Sequence, residues 1–127
     1  PRAAPRRRDG LPTAALGSGL ADKGVSLLYE TLFRPEPSER WMERCRAQID
    51  DTLRYLEEDR AARSAPFYFG AAPSHADVGV ACALRFVREA HLELFDAARF
   101  PALAAQASAC EALAAFSAVV QPITNRV

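Results

Sequence analysis

The stretch that most constrains this chain is "GAAPSHADVGVACALRFV", residues 70–87. Between Val78 and Val87 only Arg85 is charged. A helix apolar nearly all round belongs in the middle of other helices. It does not span a bilayer, because the uncharged run Val78 to Leu84 is far too short. A buried helix must also start cleanly. Its first N–H groups have no intrahelical partner, and each one orphaned away from water costs about 1–3 kcal/mol. Ser74 and Asp77 supply such a start. With Ser74 at the N-cap and Asp77 at N3, each side chain can meet the other's backbone N–H, a capping box with Asp replacing Glu. The carboxylate also suits the positive end of the helix dipole. A Ser–His–Asp triad does not fit Ser74, His75 and Asp77, since neighbours within one turn cannot share a proton path. No metal site is expected, because the two histidines, His75 and His91, have no companion ligand at metal spacing.

The remaining pattern is helical. Leu16, Leu20, Leu28 and Leu32 recur at multiples of four, with Leu27 beside them, and predict a first helix from about Thr13 to Arg34. Gly17, Gly19 and Gly24 within it point either to fraying or to close approach of another helix or chain. Ser38 caps a second helix whose stripe is Trp41, Cys45, Ile49, Leu53 and Leu56. Pro66, Gly70 and Pro73 break the pattern, and Phe67, Tyr68 and Phe69 are expected in a loop folded on the core. The third helix runs from Ser74 to about Glu89. A fourth has Pro101 at its first position and runs through Cys110. A short last one covers Leu113 to Val120. No strand alternation of any length appears, so the fold class is all-α, a bundle of about five helices with the helix from Ser74 at its centre.

The 127 residues suit one domain, and half of them are apolar, enough for one core. Residues 1–10, "PRAAPRRRDG", read as a basic linker or arm, with the domain proper over 11–127. Lys+Arg and Asp+Glu balance at 16 each, which argues against nucleic-acid or membrane-surface binding. Three cysteines without paired spacing suggest a reducing compartment, hence the cytoplasm, and all three lie on apolar faces, as buried inert thiols would. No signal peptide is expected.

"GAAPSHADVGVACAL" resembles the G-x-x-P-[ST]-x-A-D segment that opens the central helix of the C-terminal domain of glutathione S-transferases. "GSGLADKGVSLLYE" (17–30) is similar to the first helix of that domain, "WMERCRAQIDDTLRYLEE" (41–58) to its second, and "RFPALAAQASACEALAAF" (99–116) to its end. Ser18 stands where the first helix often has Asp, and Ala114 where many members have Pro. The resemblance implies that Asp22 contacts glutathione's γ-glutamyl amine across a dimer interface. It also implies that Leu28 and Leu32 line the pocket for a hydrophobic small-molecule co-substrate. Members of the family carry an N-terminal thioredoxin-like domain that binds and activates glutathione; no such domain is expected here. Glutathione is then a co-substrate only if that half is supplied, and this chain alone is expected to be inactive. Its expected partners are a second copy of itself or a thioredoxin-like domain. The alternative is a free-standing, non-catalytic protein-interaction module of the same fold. With the thioredoxin-like half absent, apolar surface is expected around Leu16, Leu20, Leu28 and Leu32.

Overall fold

The computed structural model describes residues 3–123, with side chains from Pro12 onward. Among these residues five α-helices follow one another: α1 (Ala3–Phe33), α2 (Glu39–Ala61), α3 (His75–Ala90), α4 (Pro101–Glu111) and α5 (Ala114–Ser117). A 3-10 turn at Leu92–Leu94 joins α3 to α4. Among the described residues there is no strand, only an isolated bridge between Phe67 and Gly70.

α1 begins at Ala3, well before Thr13. Ala and Arg are strong helix formers, and their run outweighs the breaks at Gly10 and Pro12. The backbone of residues 3–10 therefore continues the helix; the side chains of the expected basic arm lie outside the described residues. The last helix is shorter than expected, one turn from Ala114 to Ser117.

α3 lies against α1, and α4 rests on both α3 and α2. At Gly17 the two helices meet backbone to backbone: an added Cβ would stand 3.3 Å from the backbone of Gly79 and Val80 on α3. A Cβ on Gly24 would stand 3.0 Å from the Phe86 ring. These two glycines thus serve a helix contact within the chain; at Gly19 nothing lies within 4 Å. The buried His91 ties the same pair of helices together, donating from Nε2 to the Gly24 carbonyl at 2.8 Å.

The core is built from Leu20 and Leu27 of α1, the inner face of α2, Val80, Leu84 and Val87 of α3, and Leu103 and Ala107 of α4. Tyr68, Phe95 and Phe100 close it from the loops. The α2 stripe is entered by Met42; Trp41 is turned outward, with the Lys23 ammonium over its ring. Leu20 is fully buried and Leu16, Leu28 and Leu32 are partly covered, so the expected apolar surface along α1 is reduced. Among the described residues the large exposed apolar groups are instead Tyr29, Phe33, Trp41, Tyr55, Val78 and Leu92, with Val119 and Val120 beyond α5. α3 is not apolar-buried all round: Val78 and Cys82 face outward. Cys45 and Cys110 are buried as expected, whereas Cys82 is exposed because α3 is covered on only part of its circumference.

Candidate functional site

The two ends of α3 differ: its N-terminus holds the Ser74–Asp77 pair, and its C-terminus borders a surface that carries Leu28 and Leu32. At its N-terminus Ser74 and Asp77 form the capping box. Asp77 Oδ2 accepts from the Ser74 N–H at 2.8 Å and the Ser74 hydroxyl at 2.7 Å. Its Oδ1 accepts from the Tyr68 N–H and from Gln106 Nε2, both at 2.9 Å. The carboxylate is fully buried, so these four donors replace the water it has lost. Asp77 therefore joins three pieces: the start of α3, the Phe67–Gly70 turn, and α4. His75 is exposed and takes no part. Nearby, burial pushes the Cys110 thiol up to about 11, so it is not a nucleophile at neutral pH.

Sequence reasoning missed several supports of this end. The buried Arg60 donates to the carbonyls of Ala65 (2.6 Å) and Pro66 (2.8 Å), and its guanidinium lies over the Tyr68 ring. Arg63 pairs with Asp59 at 3.1 Å and stacks on Phe69. Glu57 reaches from α2 to the first turn of α4, accepting from the N–H groups of Ala102 and Leu103 at 2.8 Å each. That helix has Pro101 at its first position and no side-chain cap of its own, so Glu57 serves as its cap. Within the charged run of α2, neither Glu57 nor Arg60 carried a local signal, because their partners are remote in sequence or are backbone atoms of a loop.

The C-terminal end of α3 is open. A cleft of about 290 Å³ lies between the last turns of α1 and α3. Leu28, Leu32, Leu92 and Ile123 give its apolar lining, and Thr31, Glu89, Ala90 and Glu93 complete it. The structure thus brings Leu28 and Leu32 together on one surface. Asp22 is exposed on α1 and is not part of this lining. The segment after α5 forms one wall, held by Glu89: Oε2 accepts from the Ile123 N–H at 3.0 Å while Oε1 accepts from Arg85 Nε at 2.6 Å. The Arg85 bond, then the Ile123 bond, holds the Glu89 carboxyl below its ordinary range. Glu89 was not singled out from the sequence; an i, i+4 Arg–Glu pair on a helix is the only local trace of it. Among the described residues no group of three or more His, Cys, Asp or Glu side chains could hold a metal ion. No helix there is long and apolar enough to cross a membrane.

The family model described as "Glutathione S-transferase, C-terminal domain" matches residues 39–105. No curated protein matches the chain. Among solved structures, a glutathione S-transferase from Methylobacillus flagellatus KT, crystallised with GSH bound, superposes with a TM-score of 0.83 at 22% identity, covering 97% of this chain and 60% of that one. A glutathione transferase family member from Pseudomonas fluorescens Pf-5, with bound S-(propanoic acid)-glutathione, is 28% identical with a TM-score of 0.78, covering 97% and 62%. A glutathione S-transferase from Methylobacterium radiotolerans JCM 2831, in complex with glutathione sulfonate, is 24% identical with a TM-score of 0.77, covering 93% and 57%. The chain spans about 60% of the length of these structures.

Proposed function

Because this chain belongs to the family of glutathione S-transferase C-terminal domains, we propose that it is the helical half of a glutathione transferase, one that supplies a wall of the co-substrate site. The observation that carries this reading is the cleft against Leu28 and Leu32, lined also by the apolar Leu92 and Ile123 and open to solvent. A hydrophobic electrophile fits such a lining, since each apolar group it covers leaves water. Glutathione itself is held and activated by a thioredoxin-like half. Forming the thiolate at neutral pH requires a group aimed at the glutathione sulfur. Asp22, exposed on α1, is the carboxylate proposed to meet the γ-glutamyl ammonium across a dimer. The exposed aromatics of α1 and α2, with Tyr29 and Phe33 in edge-to-face contact, support a second copy as the neighbour. Three free cysteines support a reducing compartment such as the cytoplasm.

The test compares the full-length gene product with the 127-residue chain, using glutathione and 1-chloro-2,4-dinitrobenzene. The full-length protein is expected to form the conjugate and the chain alone to give no turnover above the uncatalysed rate. Filling the cleft with Leu32→Trp should raise the KM for the electrophile several-fold and leave the KM for glutathione unchanged. No turnover by the full-length product, with this or larger apolar electrophiles, would remove the transferase reading.

A further inference from the structure

The cleft at the C-terminal end of α3 has a one-sided polarity. Three of its lining residues carry polar side chains: Thr31, Glu89 and Glu93. The Thr31 hydroxyl spends its proton on the Leu27 carbonyl at 2.9 Å, so towards a ligand it offers lone pairs. Carboxylates at neutral pH accept and do not donate. Glu89 is engaged by Arg85 and by the Ile123 N–H. Glu93 is exposed and makes no ion pair among the described residues.

Among the described residues, no cation lines the cleft. Arg85 and Arg88 line the adjoining groove and not the cleft. Arg85 is committed to Glu89 and faces Glu111, while the Arg88 guanidinium lies over the Phe95 ring. The backbone acts in the same direction as the carboxylates. Leu28, Thr31 and Leu32 belong to the last turns of α1, which ends at Phe33, and Ala90 is the last residue of α3. Both helices therefore end beside the cleft, and a helix C-terminus carries a negative partial charge equivalent to about half an elementary charge.

We infer that this cleft selects an apolar molecule carrying a positive charge or a hydrogen-bond donor, such as an aryl or alkyl amine, over its carboxylate or sulfonate counterpart. The inference rests on the reading of the cleft as a ligand site and adds the class of ligand. Apolar area against Leu28, Leu32, Leu92 and Ile123 supplies affinity. Glu93, the Thr31 oxygen and the two helix ends supply the sign of the selection. Among the described lining side chains an anionic ligand would meet acceptors alone and would leave its own charge unpaired, a penalty that discriminates even where attraction is weak.

Two dansyl probes of matched size test this on the full-length protein: dansylcadaverine, which ends in an ammonium, and dansyl-6-aminohexanoate, which ends in a carboxylate. Fluorescence titration at low ionic strength should give a Kd about three- to fivefold lower for the ammonium probe, the scale of an exposed charge contact. Glu93→Gln should narrow the gap and Glu93→Lys should reverse it, with circular dichroism unchanged because the side chain is exposed. Leu32→Ala should weaken both probes equally. If both probes bind, both lose affinity in Leu32→Ala, and no charge preference exists, the cation preference is overturned while the cleft reading stands. If neither binds, or binding ignores Leu32→Ala, the cleft reading falls and takes the preference with it.

Discussion

The two ends of α3 are built on opposite principles. At the first end, a carboxylate is sealed from water and every oxygen it presents is answered, by Ser74, Tyr68 and Gln106. At the other end, a carboxylate stands at the edge of an open cleft, holds the segment after α5 with one backbone hydrogen bond, and has partly covered apolar side chains around it. Sealed and satisfied polar groups rigidify; partly covered apolar groups beside polar ones bind. The motif that first draws attention in the sequence therefore marks the anchor of the fold, and the cleft proposed to take the co-substrate sits about four turns away at the end of the same helix.

The sharpest way to break this comparison is to remove the anchor. In Asp77→Ala the buried Tyr68 N–H and Gln106 amide lose their acceptor along with the cap, and about 3–5 kcal/mol of stability should go with them. Urea melts measure it. The Phe67–Gly70 turn should also become protease-sensitive, since its Tyr68 N–H is held by that carboxylate. A loss under about 1 kcal/mol would mean that Asp77 is only an ordinary cap. Asp77→Asn should fall between, because an amide can accept at one atom but brings two donors into a site that already has four.

The capping box was legible in the sequence because it is local: Ser74 and Asp77 are three residues apart and meet through fixed helix geometry. The all-helical class and the stripe Cys45, Ile49, Leu53 and Leu56 were legible for the same reason, since periodicity is a local signal. What sequence reasoning did not supply is long-range. Gln106 lies 29 positions from Asp77, and Glu57 lies 45 from the amide it caps. Trp41 and Met42 show a finer limit. Periodicity locates a buried face to within one residue: Met42 keeps the step of three or four to Cys45 and Ile49 on the buried face, and Trp41 falls beside it under the Lys23 ammonium. Leu28 and Leu32 were read through family likeness; their pattern alone equally describes core leucines, and only the packing of α1 on α3 leaves them half-covered beside a cleft.

A gentler cut at the anchor separates cap from hub. Ser74→Ala removes the hydroxyl but leaves Asp77 with Tyr68, Gln106 and the backbone N–H of residue 74. The expected loss is about 0.5–2 kcal/mol, below that of Asp77→Ala. In the double substitution Ser74→Ala with Asp77→Ala, the losses should sum to less than the two singles, because the Ser74 hydroxyl has lost its partner already. Additive losses would show that the two side chains act independently and would undo the account of one cooperative cap.

The smallest expected effect is at the open end, and pH reveals it. The bond from Arg85 and the bond from the Ile123 N–H hold the Glu89 carboxyl below its ordinary range, with Arg88 adding to the same direction. A carboxyl whose folded pKa is depressed contributes stability that is fully present above its unfolded pKa, near 4.3. That contribution is lost as pH falls through the lower, folded value. The hydrogen bond at Ile123 should therefore persist from neutral pH down to about 4 and weaken below it. Solvent screens this partly exposed pair, so global melts will barely register it. Amide exchange at Ile123 is the direct measure. At pH 7 exchange should be faster in Glu89→Gln than in wild type, after correction for intrinsic rates, and the difference should shrink below pH 4. The Tyr68 amide, held by Asp77 at the sealed end, should be unaffected by Glu89→Gln. If Glu89→Gln accelerated both amides alike, the two ends of α3 would open together, and the division into an anchored end and an open end would not hold.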